Sequence, residues 1–344
     1  LLNKEPHALV YADPRATYGL MAQHAIRAIG VVVDAYKRDH ETKRTFRPEG
    51  AVVLDTPRLY RVDGNHAAIT ALDGRLTVRL NIGGIQRAQL KASTKLREAD
   101  LVCDRKGRWR SMVAARYPDP APRATEGMLG VDLGRRDIAH TSDDESFSGE
   151  QVTAVRDRYS RTRQLIQRTV SKGTRSSRRR GRSTLARLSG RERRFQRNVN
   201  HTASKRIVQA AYTGRAIALE NLTGIRDRTN GQPRCKTERR RSNSWAFHQL
   251  RGFLAYKAHD AGLPLVLVNP AYTSQTCHCC LHMGDRQGKR FRCINPSCLW
   301  SGDADFNGAC MIALMGAAVT SPRGPYPSCL VGHGGRRAPE SRRL

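Results

Sequence analysis

The sequence predicts an α/β protein of two or three domains, and three observations carry that expectation. Short alternating runs punctuated by turn dipeptides read as antiparallel strands in the first third of the chain. Continuous apolar runs separated by helical patterns follow, and these read as buried strands. Near the C-terminal end a tight set of cysteines runs directly into an acidic motif at a helix start. At 344 residues the chain can bury a sizeable core.

Taken in order, residues 1–46 hold one helical pattern, with Leu20, Ile26, Ile29, Val33 and Tyr36 near helical spacing. Its plainest reading is a packing helix. From 47 to 121 the runs AVVLD, LYRVD, HAAITAL, RLTVRLNI, ADLVCD and WRSMVAARY alternate, with turn signals at Asp63 to Asn65, Asp73 to Gly74 and Asp104 to Gly107. This segment reads as a small antiparallel β-barrel or sheet. PDPAPRATEG is then a Pro-rich hinge, and MLGVDLG is a buried strand with a hairpin partner in DIAHTSD. From 151 to 212 the pattern reads as two helices joined by a mobile basic linker centred on SKGTRSSRRRGRS, because Gly, Ser and like charges offer nothing to bury. TGRAIALENL reads as a strand ending at Glu220, SWAFHQLRGFLAYKAHDAG as an amphipathic helix stopped by Gly262, and LPLVLV as another buried strand. The stretch RTNGQPRCKTERRRSNS and the basic tail 319–344 read as disordered, and there is no internal repeat.

Charge narrows the partners. Lys and Arg number 61 against 30 Asp and Glu, a net charge of +31 that calls for a polyanion. Arg outnumbers Lys, and its planar fork suits phosphate, so nucleic acid ranks first and an anionic membrane surface second. No apolar run approaches the ~18 residues of a membrane span, and the N-terminus has neither the basic nor the apolar region of a secretory signal. The first residue is Leu, which reads as a fragment of a longer chain.

Five of nine cysteines fall within 22 residues of a polar, Gly-containing loop. Cys277 and Cys280 form a C-x2-C pair, and Cys293 and Cys298 a C-x4-C pair. Four thiolates on two tight loops can surround one tetrahedral ion, which for sulfur ligands means zinc in a reducing compartment. The competing reading, buried apolar thiols, fits a polar loop poorly. Cys279 could replace Cys280 in the set, and His278 or His282 could stand in for a thiolate. Three carboxylates also stand out: Asp132 inside an apolar strand, Glu220 at a strand end and Asp305 at a helix start. A buried carboxylate needs a partner such as a cation. Three of them brought together give hard oxygen ligands for two Mg2+ ions, the clamp that hydrolyses phosphodiesters.

These residues carry a resemblance. GVDLG around Asp132, ALENL around Glu220 and DADFNGA around Asp305 resemble the three split RuvC motifs of TnpB-type proteins, transposon-encoded RNA-guided nucleases also called OrfB and related to compact type V CRISPR effectors. RNVNHTASKRIV, SWAFHQL, YKA and NPAYTSQTC match the family's spacing, and the resemblance covers roughly residues 20–318. Leu299, Asp303 and Gly308 depart from common family choices without removing a ligand.

The resemblance implies an RNase H-like RuvC domain with inserted helices and a zinc ribbon, preceded by a wedge-like β-barrel with a helical segment. On that pattern 1–46 is a remnant of the wedge and recognition helices and 47–121 the oligonucleotide-binding barrel. Residues 122–270 are the nuclease domain with its basic insertion 151–212, 271–302 a target nucleic-acid-binding zinc ribbon, and 303–318 the third motif and its helix. It implies a Mg2+-dependent DNA endonuclease with catalytic metal ligands Asp132, Glu220 and Asp305, structural zinc on Cys277, Cys280, Cys293 and Cys298, and products carrying 5′-phosphate and 3′-hydroxyl ends. Partners would be a guide RNA and a double- and single-stranded DNA target, in a prokaryotic cytoplasm at the nucleoid. Guide pairing reads sequence, so Arg178, Arg179, Arg180, Arg182, Arg193, Arg194 and Arg197 would meet phosphates, not bases. The rivals are a guided DNA-binding protein that does not cut, a decayed transposase relic truncated at its N-terminus, and a structural RNA-binding protein. The last leaves the three acidic motifs unexplained.

Overall fold

The computed structural model describes residues 10–38, 40–104, 107–134, 136–223 and 247–320. Both segments read from sequence as disordered, 228–244 and nearly all of 319–344, lie outside the described residues. The chain divides into two units, Leu1–Asp119 and Pro120–Leu344.

In the first unit, helices α1 (Ala12–Tyr18) and α2 (Ala22–Arg38) precede β1 (Val52–Asp55), β2 (Tyr60–Asp63), β3 (His66–Ala71), β4 (Gly74–Arg79), α3 (Gly84–Ala92), β5 (Lys95–Cys103) and β6 (Trp109–Arg116). The antiparallel pairing expected from the alternating runs is present, but hydrogen bonds do not close it into a barrel. Among the described residues the strands form two three-stranded sheets, β1-β5-β6 and β2-β3-β4. The two share one core through Leu54, Leu59, Tyr60, Ala67 and Ala99. Helix α2 lies against both, with Arg27 paired to Asp55 on β1 and Glu98 on β5, and His24 bonded to the Thr70 carbonyl on β3. Helix α3, GIQRAQLKA, falls where sequence suggested only a connection between strands. The Gln86 side chain accepts from the Gly83 N–H and caps its start.

The second unit begins with the Pro-rich segment, which is tied down rather than free. Arg123 N–H donates to the Gly262 carbonyl, Glu126 N–H to that of Gly214, and the Arg123 guanidinium lies 3.8 Å from the Tyr212 ring centroid. The elements that follow are β7 (Gly127–Asp132), β8 (Asp137–Thr141), β9 (Ser146–Ser148), α4 (Glu150–Lys172), α5 (Arg175–Leu188), α6 (Arg191–Ala211), β10 (Arg215–Glu220), α7 (Phe247–Asp260), β11 (Leu265–Val268), β12 (Gly284–Gln287), β13 (Arg290–Cys293), β14 (Ser301–Asp303) and α8 (Ala304–Thr320).

The central sheet has the order β11-β10-β7-β8-β9, parallel across its first three strands and antiparallel beyond. Strand alternation divides its residues between two cores. Leu129, Val131, Ile217 and Leu219 pack with Ile207, Leu250 and Leu254 of α6 and α7. Met128, Ala216 and Ala218 pack with Ile312 and Ala313 of α8. Each fully buried Leu or Ile contributes about 1.5–3 kcal/mol over its exposed state. The apolar run in each strand is therefore explained by helices on both faces.

The basic linker expected within 151–212 is instead α5, so three helices stand where two were read. Gly173 ends α4, and Thr174 caps the new helix by accepting from the Ser177 N–H. Gly181 lets α5 approach α4 closely, since a Cβ there would fall 2.0 Å from Val170 Cγ2. That contact supplies the packing the composition did not advertise.

Candidate metal and nucleic-acid site

Asp132 and Glu220 close their strands side by side. The parallel register pairs Leu219 with Val131, so the next residues, Glu220 and Asp132, are neighbours on the face that also carries Met128, Ala216 and Ala218. That face is covered by α8, which passes so near that a Cβ on Gly308 would lie 3.3 Å from Asp132 Oδ2. Asp303 caps α8, its Oδ1 accepting from the N–H groups of Asp305 at 2.7 Å and Phe306 at 3.1 Å. The cap fixes the first turn, and with it Asp305. The sheet and one helix thus bring all three predicted carboxylates to one place.

Their electrostatics follow from crowding. Burial, then the charges of Glu220 and Asp305, push the Asp132 carboxyl up to about 8, against the pull of Arg286. Burial also raises Glu220, opposed by a bond from the Thr273 hydroxyl to its Oε1 and by Arg286. Arg286 was not singled out in the sequence. It sits on β12 and donates from Nη2 to Asp305 Oδ1 at 2.7 Å. Thr273, almost fully buried, was also missed. Three mutually repelling carboxylates are a donor set suited to hard divalent cations. Among the described residues only the four cysteines draw three or more ligand atoms within 4.8 Å of one another.

Strands β12, β13 and β14 form a small antiparallel sheet beneath the cysteines. Cys277 and Cys298 sulfurs lie 3.9 Å apart, Cys280 and Cys293 sulfurs 3.4 Å. Tetrahedral zinc at its usual bond length spaces sulfurs by about 3.8 Å, so the set fits that ion. Burial pushes the thiols of Cys277 and Cys293 up to about 12, so they keep their protons unless a bound cation displaces them. The alternative ligands are otherwise engaged. His278 bonds through Nδ1 to Asn307 Oδ1 at 2.9 Å, His282 Nδ1 lies 3.0 Å from the Cys280 carbonyl, and Cys279 is exposed. Asn307, fully buried on α8, also donates to the Thr276 carbonyl, so the knuckle and the acid cluster share a helix.

The predicted phosphate contacts Arg178, Arg179, Arg180 and Arg182 lie exposed on α5, and Arg193, Arg194 and Arg197 exposed on α6. None of the seven forms an ion pair with a carboxylate among the described residues.

A mixed α/β fold with strand-end acids and four clustered cysteines defines a class of proteins with candidate metal sites, and comparison with known proteins narrows it. The family model described as Cas12f1-like, TNB domain matches residues 247–312. A TnpB-like protein of Methanocaldococcus jannaschii is 29% identical over 198 residues, 54% of this chain and 69% of the relative. The CRISPR-associated endodeoxyribonuclease Cas12f2 of a Micrarchaeota archaeon is 37% identical over 122 residues, 33% of this chain but 22% of the relative. The chain thus spans most of the TnpB-like relative and under a quarter of the Cas12f2. The cryo-EM structure of a Cas12f1-sgRNA-target DNA complex shares the fold, with a TM-score of 0.59 and 13% identity over 91% of this chain and 75% of that one. These matches bear out the resemblance to TnpB-type proteins and compact type V effectors. No helix among the described residues is long and apolar enough to cross a membrane.

Proposed function

We propose that the protein is an RNA-guided DNA endonuclease of the TnpB type, its second unit an RNase H-like RuvC nuclease. The observation that carries this is the convergence of Asp132, Glu220 and Asp305 where two strand ends meet a capped helix start. In this reading Asp132, Glu220 and Asp305 hold Mg2+, while Cys277, Cys280, Cys293 and Cys298 hold structural zinc. A bound pair of divalent ions supplies an activated water and stabilises the leaving oxygen of a phosphodiester. The chain's own residues do the rest. Thr273 orients Glu220, Asp303 fixes the turn bearing Asp305, and Arg286 offsets the negative charge that scissile phosphate and carboxylates would otherwise stack together.

The exposed arginines of α5 and α6 would follow the phosphates of guide RNA and DNA target. Residues 47–121 would serve as the wedge-like oligonucleotide-binding part and 271–302 as the target nucleic-acid-binding ribbon, acting at the nucleoid of a prokaryotic cytoplasm. The test is a Mg2+-dependent cleavage assay with the co-purified RNA, run beside Asp132→Ala. Cleavage by the parent and none by the variant supports the reading. Equal behaviour of the two removes it and favours a guided protein that binds without cutting.

A further inference from the structure

The β12–β13 hairpin, GDRQGKRFRC, turns through Gly288 and Lys289. Its register pairs Gln287 with Arg290, leaving two residues in the turn, and Gly288 takes φ +63°, a conformation suited to glycine. Lys289 at the tip does two things at once. Its ammonium pairs with Asp137 Oδ2 at the start of β8, and its carbonyl accepts from the Ala304 N–H at 2.8 Å, immediately before Asp305. Three residues before Lys289, Arg286 reaches Asp305.

Exposed ion pairs fix little, because water competes and two long side chains must be held still. This pair differs at one end. The Asp137 side chain is only 11% exposed, so withdrawing the lysine leaves a carboxylate in a site that cannot hydrate it. Lys289 also feels the charges of Asp305 and Asp303, both of the same sign as Asp137. The hairpin's opposite end is secured independently, by Phe291 against Trp300 and by the cysteine set. The tip is thus held to β14 and α8 by backbone bonds and to the central sheet by the Lys289 side chain, and Arg286 lies on the strand that leads into it.

We propose that Lys289 is a positioning residue: through Asp137 it holds the ribbon hairpin against the central sheet so that Arg286 stays on Asp305. The docking stands on geometry alone, and its effect on cleavage rests on the nuclease reading above.

The test uses the full chain with its RNA, comparing the parent with Lys289→Ala, Lys289→Arg and Asp137→Asn. Hydrogen exchange of residues 284–293, zinc content and the separate kcat and KM for cleavage are the readouts. Lys289→Ala is expected to keep its zinc, to exchange faster across the hairpin, and to lose on the order of 10- to 100-fold in kcat with KM little changed, as misplacement of a group at a reacting centre does. Lys289→Arg should restore most of both. Should Lys289→Ala fail to fold, Asp137→Asn reads the same pair from its other end. Unchanged hairpin exchange, or loss of zinc along with the docking, overturns the proposal. If the parent itself does not cut, the nuclease reading fails, and exchange with zinc content alone decides whether Lys289 docks the hairpin.

Discussion

Arg286 on the ribbon hairpin donates to Asp305 at the first turn of α8 across 2.7 Å, joining the cysteine-built module to the carboxylate cluster through a charged contact. Its charge also acts on Asp132 and Glu220, lowering both against the burial that raises them. Removing it concentrates negative charge where a phosphodiester must approach. Arg286→Ala should therefore cut the cleavage rate by about 100-fold, the scale of losing one preorganised stabilising group, while zinc content and melting temperature stay near the parent's. Arg286→Lys should retain part of the rate, since a point charge replaces the fork. A matched loss of zinc in Arg286→Ala would assign the residue to the ribbon's fold instead.

The raised Asp132 carboxyl predicts a pH dependence whose sign is fixed. The folded group sits near 8 and the unfolded one near 3.8, so between those values the folded chain keeps a proton that the unfolded chain has released. Stability in Mg2+-free buffer should consequently fall as pH rises through that window, and flatten above it. Added Mg2+ should reverse the fall and release protons on binding, because ligand carboxylates must be ionised. Thermal melts at pH 5 and pH 8, with and without Mg2+, check this. A melting temperature that rises over the same interval without Mg2+ would contradict it.

For the cysteines the expected outcomes divide by position. Cys293→Ser should abolish zinc binding, measured as a drop from about one ion per chain to none, and destabilise the ribbon, because closed thiolate sites contribute folding energy directly. Cys279→Ser should leave zinc content unchanged, since that thiol is exposed and outside the four-sulfur set. Elemental analysis of the purified proteins separates these cases. Equal loss in both would return Cys279 to the ligand set.

The acids and cysteines were legible in sequence for a physical reason: each is chemically out of place. A carboxylate closing GMLGVD or RAIALE interrupts a run that burial explains, and five cysteines within one short polar loop have no packing rationale. Arg286 had no such contrast. One basic residue among 61 is invisible until the hairpin register brings it to Asp305. Thr273 was hidden likewise, because its role comes from the turn after β11. Helix α5 was missed because Ser and Gly lower local preference and neighbouring arginines repel, while the packing that rescues it, Gly181 against Val170, lies between elements. Closure of the first unit's strands was over-read: alternation predicts pairing, and ladder closure depends on contacts that turn signals do not encode.

Gly130 tests how closely α8 must lie on the sheet. A Cβ there would fall 1.9 Å from the Ala309 carbonyl oxygen and 2.5 Å from the Ala313 nitrogen, both backbone atoms that cannot rotate away. Gly130→Ala must push α8 outward and carry Asp305 with it. The expected cost is about 1–3 kcal/mol, the usual scale of overpacking, together with a loss of cleavage that exceeds what the stability change explains. Gly308→Ala meets a side-chain oxygen of Asp132 at 3.3 Å and should be milder. Melting curves of the two variants should rank in that order.

The α5 arginines lend themselves to a measurement that ignores cleavage. Arg175, Arg178, Arg179 and Arg182 recur at helical spacing, all exposed, on a helix whose other side meets α4. If that stripe tracks phosphates, each arginine releases counterions on binding, and affinity falls with salt by about 0.7 to 0.9 in logarithmic slope per contact. Arg178→Gln with Arg182→Gln should therefore weaken RNA binding uniformly across sequences and lower the salt slope by roughly 1 to 2. Zinc content should not change and the melting temperature should shift little, because both side chains are exposed and donate only weakly competing bonds to the Gly173 and Arg178 carbonyls. An unaltered slope would mean that the stripe is solvated surface and that the phosphate contacts lie elsewhere, leaving α6 and its Arg193, Arg194 and Arg197 as the next stretch to titrate.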